Sequence, residues 1–97
     1  MSQYENDIIA RNVRLLMAYQ DINVGELAEL SGISYDYITG VRTGRVEPGL
    51  HTIKPICRSL GVTVDDIENP YLFYWIDQII ENGRKAWNKK GLDDSSA

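Results

Sequence analysis

The sequence predicts an all-α fold: a compact five-helix domain at residues 5–69, then one C-terminal helix at 70–90 and a flexible tail at 91–97. Three observations predict it. Apolar residues recur at spacings of three and four along the chain. The apolar runs are opened by Ser, Thr or Asn and closed by Gly or an Asn-Pro pair. No segment requires a strand.

The elements follow in order. Ser2 with Glu5 three residues on has the form of a capping box. Ile9, Val13 and Leu16 then recur at helical spacing with Met17 beside them, and Arg11 and Arg14 opposite, so a first helix is expected at 5–20. Asp21 and Asn23 mark a turn, with Asn23 suited to an N-cap. A short second helix covers 24–30 and carries Leu27, Ala28 and Leu30; Ser31-Gly32 stops it. Ser34 caps a third helix at 34–42 that ends near Gly44. The run GRVEPG reads as a loop. A fourth helix at 50–60 places Ile53, Ile56, Cys57 and Leu60 on one face, bent by Pro55 and ended by Gly61. Thr63 caps a short fifth helix ending near Asn69-Pro70, and a last helix runs from Tyr71 to Lys89.

Length and composition suit one soluble domain. The chain has 97 residues, 43% of them apolar and 25% charged. Its first residues do not have the form of a signal peptide, no apolar run is long enough to span a bilayer, and the single Cys57 has no partner for an internal disulfide. The cytoplasm is the expected compartment. The net charge is −4, which opposes contact with nucleic acid because phosphate neutralisation supplies most of the affinity. The distribution works the other way. Between Ser31 and Arg58 stand Arg42, Arg45, Lys54 and Arg58 against Asp36 and Glu47, a local excess of positive charge.

The informative stretch is ELAELSGISYDYITGVRTGR. Two helices of about eight residues flank three or four residues that include a glycine, the spacing of a helix-turn-helix. A turn that short crosses the helices steeply. The first then braces the second, which can enter a major groove roughly 12 Å wide. At 100° per residue, Tyr37, Ile38 and Val41 gather on one third of the third helix and are expected in the core. Tyr35, Asp36, Thr39, Gly40 and Thr43 fall on the other side, with Arg42 at the border.

Five segments come in order: Glu26-Leu27-Ala28, Gly32-Ile33-Ser34, Ile38-Thr39-Gly40-Val41, Gly44-Arg45-Val46-Glu47-Pro48, and Leu60-Gly61-Val62-Thr63 with Asp65-Asp66. With that spacing the chain, from Ile9 to Ile67, resembles the lambda-repressor-like, Cro/C1-type (XRE) helix-turn-helix family. The resemblance implies double-stranded DNA as partner and a transcriptional regulator, a repressor of phage, plasmid or mobile-element type, as the function. It implies base contacts from Tyr35, Asp36 and Thr39. Asp36 suits a cytosine amino group, Thr39 a thymine methyl, and Tyr35 either a base or a phosphate. Gly40 would permit close approach. Arg42, Thr43 and Arg45 are expected at phosphates. Two departures from the family pattern bear on function. Val24 and Gly25 stand where many members open the second helix with a Gln that anchors the DNA backbone. Met17 and Arg42 replace an Arg–Glu ion pair found in some members.

The segment after Pro70 is expected to lie outside the core. As a helix of about 28 Å, it sets Leu72, Ile76, Ile79, Gly83 and Trp87 along one stripe flanked by Trp75 and Ile80. Such a stripe predicts a homodimer, which would supply two reading helices for two half-sites. The other expectation for it is that the helix folds back on its own core, against Ile8 or Ile9. Cys57 reads as a core residue and His51 as a surface one. No metal-ligand spacing, phosphate-binding Gly-rich loop or base–nucleophile pair is present, so no enzyme, cofactor or metal is expected. A regulatory protein partner is compatible with a chain this short. The competing reading is a helix-turn-helix kept as a protein-interaction module, an anti-repressor or scaffold, favoured by the acidic charge and the aromatic last helix.

Overall fold

The computed structural model describes the backbone of residues 3–96 and the side chains of residues 3–85. Six helices follow one another: α1 (Gln3–Gln20), α2 (Val24–Ser31), α3 (Tyr35–Arg42), α4 (Leu50–Leu60), α5 (Val64–Ile67) and α6 (Leu72–Ser96). The fold is all-α, as the sequence predicts, and there is no strand among the described residues. Ser2 and the side chain of Trp87 lie outside the described residues. The last helix extends to Ser96, so all but the final residue of the expected tail continues α6.

Local chemistry sets the boundaries. Asn23 and Thr63 both form complete capping boxes, with Glu26 and Asp66 as reciprocal acceptors. Gly32 and Gly61 end α2 and α4 in the left-handed region, at φ 72° and 76°. Pro55 is accommodated within α4, where its missing N–H removes one rung of the helical ladder. Leu30, grouped with the apolar residues of α2, is exposed.

One apolar core runs through all six helices. It takes Ile9, Val13, Leu16 and Met17 from α1, Leu27 from α2, Ile38 and Val41 from α3, Ile53, Ile56 and Leu60 from α4, and Ile67 from α5. Leu72 and Ile80 of α6 belong to the same cluster, with Ile76 and Ile79 packed against it. This corrects the expectation that residues after Pro70 are surplus to the core. Gly83 makes the point most sharply: a Cβ built on it would lie 1.6 Å from the Gly61 carbonyl oxygen. The close approach made at Gly83 is therefore to the C-cap of α4 in the same chain. Of the residues expected to line a dimer face, Leu72, Ile80 and Gly83 are buried inside the monomer, Ile76 and Ile79 are half-buried, and Trp75 is exposed.

The fold-back has a polar cause in α1. Asn12 is fully buried, and its amide donates to the carbonyls of Ile67 and Asn69, both at 2.8 Å. Arg11 donates to the Pro70 carbonyl at 2.7 Å. These bonds turn the chain between α5 and α6 so that Leu72 enters the core. The same helix reaches other helix ends. Gln20 donates to the Leu60 carbonyl at 2.8 Å, Asn6 to the Gly44 carbonyl at 2.8 Å, and Arg14 to the Arg42 carbonyl. The last carbonyls of a helix have no partner within it. Here α1 supplies donors for those of α3, α4 and α5.

Within α6, Trp75 has non-helical angles (φ −122°, ψ 17°), so the first turn is set off from the rest of the helix. Tyr71, just before it, and Phe73, Tyr74 and Trp75 within it are all exposed, between 59% and 72%. Phe73 and Tyr74 meet edge to face at 5.4 Å.

Candidate nucleic-acid interface

The α2–α3 turn is built by short-range hydrogen bonds. Gly32 reverses the chain at φ 72°, the Ser31 hydroxyl accepts from Ile33 N–H at 3.2 Å, and the Ser34 side chain accepts from Tyr37 N–H at 3.2 Å. Ser34 is thus the N-cap that the sequence indicates. Because α3 has only eight residues, two core anchors fix its rotation: Ile38 and Val41 are buried to within 1%. Tyr37 is half-buried and its hydroxyl lies 3.1 Å from the Thr52 hydroxyl, tying α3 to α4.

That rotation leaves Tyr35 and Asp36 exposed at the start of α3 and Thr39 half-buried one turn later. The hydroxyl of Thr39 donates to the Tyr35 carbonyl at 3.0 Å, and that of Thr43 to the Thr39 carbonyl at 2.9 Å. Both hydroxyl protons are therefore turned inward. What these threonines offer outward is a methyl group and oxygen lone pairs, consistent with an apolar contact from Thr39.

Gly40 departs from expectation. It is buried, and its neighbour is the loop after α3. A Cβ there would lie 2.4 Å from Val46 Cγ2. The Gly40 carbonyl accepts from both Arg45 N–H (2.9 Å) and Val46 N–H (3.0 Å). Gly44, at φ 79°, makes that turn possible. The close approach permitted by Gly40 is thus to its own chain, and its consequence is positional: the exposed Arg45 guanidinium comes to rest beside the C-terminal half of α3.

Arg42 is not a simple outward cation either. It is half-buried, with its carbonyl bound by Arg14, and its Nε is buried with no hydrogen-bond partner among the described residues. Its side chain lines a cleft of about 530 Å³ between α1, α2 and α3, with Arg14, Met17, Ile22, Val24 and Tyr35. Helical position alone places Arg14 only on the side of α1 opposite its apolar face. Nothing in the sequence links position 14 to position 42, because the contact exists only once α1 and α3 pack together.

The structure thus leaves Tyr35, Asp36, Thr43 and Arg45 exposed on or just after α3 with Thr39 half-buried among them, while Arg42 and Tyr35 line the neighbouring cleft. No group of three or more His, Cys, Asp or Glu side chains is placed to hold a metal ion among the described residues, and no helix there is long and apolar enough to cross a membrane. Comparison with curated proteins and with solved structures finds no match. The family model for the Cro/C1-type HTH DNA-binding domain does match, over residues 12–71, from the buried Asn12 in α1 to the start of α6. That span exceeds half of the chain and contains the whole α2–α3 unit, so the protein belongs to the Cro/C1-type helix-turn-helix DNA-binding family.

Proposed function

We propose that this protein is a sequence-specific transcriptional regulator, a repressor of the phage, plasmid or mobile-element kind, that reads the major groove with α3. The observation carrying this reading is the division of α3: Ile38 and Val41 are locked in the core while Tyr35 and Asp36 stand exposed at its N-terminal end. The N-terminal residues of the second helix are those that a docked helix-turn-helix presents to base edges. Tyr35, Asp36 and Thr39 read bases; Thr43 and Arg45 hold phosphates, with Arg42 at the border of the two sets. In this reading, regulation rests on dimerisation or on a partner protein, in the cytoplasm.

Selection of bound sequences from a random duplex pool tests the reading. Each good base contact contributes roughly 1–3 kcal/mol of discrimination. Asp36→Ala is expected to relax preference at one base position and keep the fold, whereas Arg45→Ala weakens binding to all sequences alike. Unchanged selectivity in a triple alanine variant of Tyr35, Asp36 and Thr39 refutes the assignment. The aromatic first turn of α6 favours a second reading, a protein-interaction module, which predicts no retention on duplex DNA even at low salt.

A further inference from the structure

Helix α1 buries two asparagines, Asn6 and Asn12. Asn12 holds the turn into α6. Asn6 is 6% exposed and reaches the loop after α3. The point it reaches is the softest in that loop. Gly44 stands at φ 79°, and a glycine leaves such a conformation for others at little steric cost. Arg45, the loop cation assigned to phosphate, follows it directly. The peptide group joining the two is held at both of its polar atoms. Its carbonyl, that of Gly44, accepts from Asn6 Nδ2 at 2.8 Å. Its N–H, that of Arg45, donates to the Gly40 carbonyl at 2.9 Å. One grip comes from α1 and the other from α3, so the plane of this peptide is fixed against both helices. The seat around Gly44 is close as well. A Cβ there would lie 3.2 Å from Asp7 Oδ1 and 3.7 Å from Ala10 Cβ, and the Asp7 carboxylate itself accepts from Gln3 Nε2 at 2.8 Å. The bond from Asn6 adds little to folding. Its Oδ1 is buried with no hydrogen-bond partner among the described residues, and an unsatisfied acceptor offsets what the donor gains.

We propose that Asn6 is a positioning residue for DNA binding: by holding the peptide between Gly44 and Arg45 against α1, it sets the Arg45 guanidinium in register with the face of Tyr35 and Asp36. A strand phosphate then meets a cation whose backbone is already in place, which lowers the ordering cost of binding. The role rests on the DNA reading above. Asn6 itself touches no DNA, so its whole effect on binding passes through the loop and through Arg45.

A double-mutant cycle on the full chain tests the role. Asn6→Ala, Arg45→Ala and the double variant are titrated with a duplex selected by the parent, over a salt series, and each is unfolded in denaturant. Asn6→Leu is carried in parallel, alone and with Arg45→Ala. Leu has the branching of Asn without its donor, and it keeps filled the space that Ala leaves empty. Both Asn6 variants are expected to weaken binding by about tenfold, the scale of one charge-assisted hydrogen bond. Their salt dependence is expected to be shallower by about one phosphate contact per chain, with the order of base preference unchanged. In the Arg45→Ala background the same substitutions should weaken binding no further. The Arg45 and Val46 amides should exchange faster in both Asn6 variants, while those of Ile38 and Val41 keep their protection. Effects that add in the double variants, or that follow the loss of unfolding free energy from Ala to Leu, show a purely structural role and overturn the proposal. Parent-like binding by both Asn6 variants overturns it as well. A parent that binds no duplex even at low salt refutes the function proposed above and this role together, whereas the other adverse results refute this role alone.

Discussion

At Gly40, α3 and the loop behind it meet with no space for a side chain, since a Cβ would lie 2.4 Å from Val46 Cγ2. Gly40→Ala must therefore push the loop away from α3 and disturb the two amides that share the Gly40 carbonyl. An overpacked site of this kind costs roughly 1–3 kcal/mol. Because Arg45 belongs to the displaced loop, the variant is expected both to unfold at lower denaturant and to bind all duplexes more weakly. Equilibrium unfolding and a salt series check the two effects separately. Cys57 makes a different residue-scale prediction. Burial, with Asp66 and Glu68 adding to it, pushes its thiol up from 9.0 to about 12. The folded state therefore holds the proton more tightly than the unfolded chain. Stability from this group is complete below pH 9 and is lost as pH rises from about 9 towards 12. Unfolding free energy is expected to fall over that window, with a shallower slope in Cys57→Ala. Thiol reagents at neutral pH are expected to react only at the rate at which the chain opens.

At the scale of elements, α1 acts as a frame whose polar side chains grip the ends of other helices. Asn12 and Arg11 set the path into α6, and Gly83 lets α6 lie directly on the Gly61 turn. Gly83→Ala is the sharper test of this arrangement. In an isolated helix the change is favourable by roughly 0.8–1.0 kcal/mol, because Ala is the better helix former. Here the new methyl would collide with backbone, which cannot rotate aside as a side chain can. Net destabilisation is expected, with greater hydrogen exchange at the start of α5 and along α6, and little change in α2 and α3. A variant more stable than the parent would show that α6 does not rest on the α4 C-cap.

At the scale of the whole molecule, the distribution of exposed apolar surface bears on self-association. Leu72, Ile76, Ile79 and Gly83 of the stripe, with Ile80 beside it, are engaged with the chain's own core. The large apolar side chains left exposed around the start of α6 are Tyr71, Phe73, Tyr74 and Trp75. A clustered aromatic surface of this kind marks a contact site more often than scattered exposed residues do. If the protein dimerises on DNA, this turn is the expected interface. Replacing Phe73, Tyr74 and Trp75 together by Ser is expected to leave the unfolding transition nearly unchanged, to give a monomer by light scattering, and to abolish cooperative occupation of two half-sites. Dimers that persist in this variant assign the interface elsewhere. Removing the whole segment from Leu72 onward would not make the same test, because it also takes two buried side chains, Leu72 and Ile80, out of the core.

The sequence by itself determined the helices, their caps and the face that α3 buries. These depend on nearest neighbours: Asn23 with Glu26, Ser34 with the Tyr37 amide, Gly61 after Leu60, Ile38 with Val41. Interactions within one or two turns leave a trace in spacing and residue type, and the placement of Tyr35 and Asp36 on the outer face follows from the same periodicity. Only the tertiary structure decided the roles of Gly40, Arg14, Arg42 and Gly83. Gly40 is polar-side by helical angle, yet the loop ending at Val46 covers it. Arg14 meets Arg42, and Gly83 meets Gly61, across separations of 28 and 22 residues, which no local pattern encodes. The amphipathic stripe of α6 was legible as a surface that must be buried. Burial by the chain's own α1 and α5 or by a second copy satisfies the hydrophobic effect equally, since that force has no direction. The choice was made by directional bonds, those from Asn12 and Arg11 to the carbonyls ahead of α6, which exist only when α1 lies beside that turn.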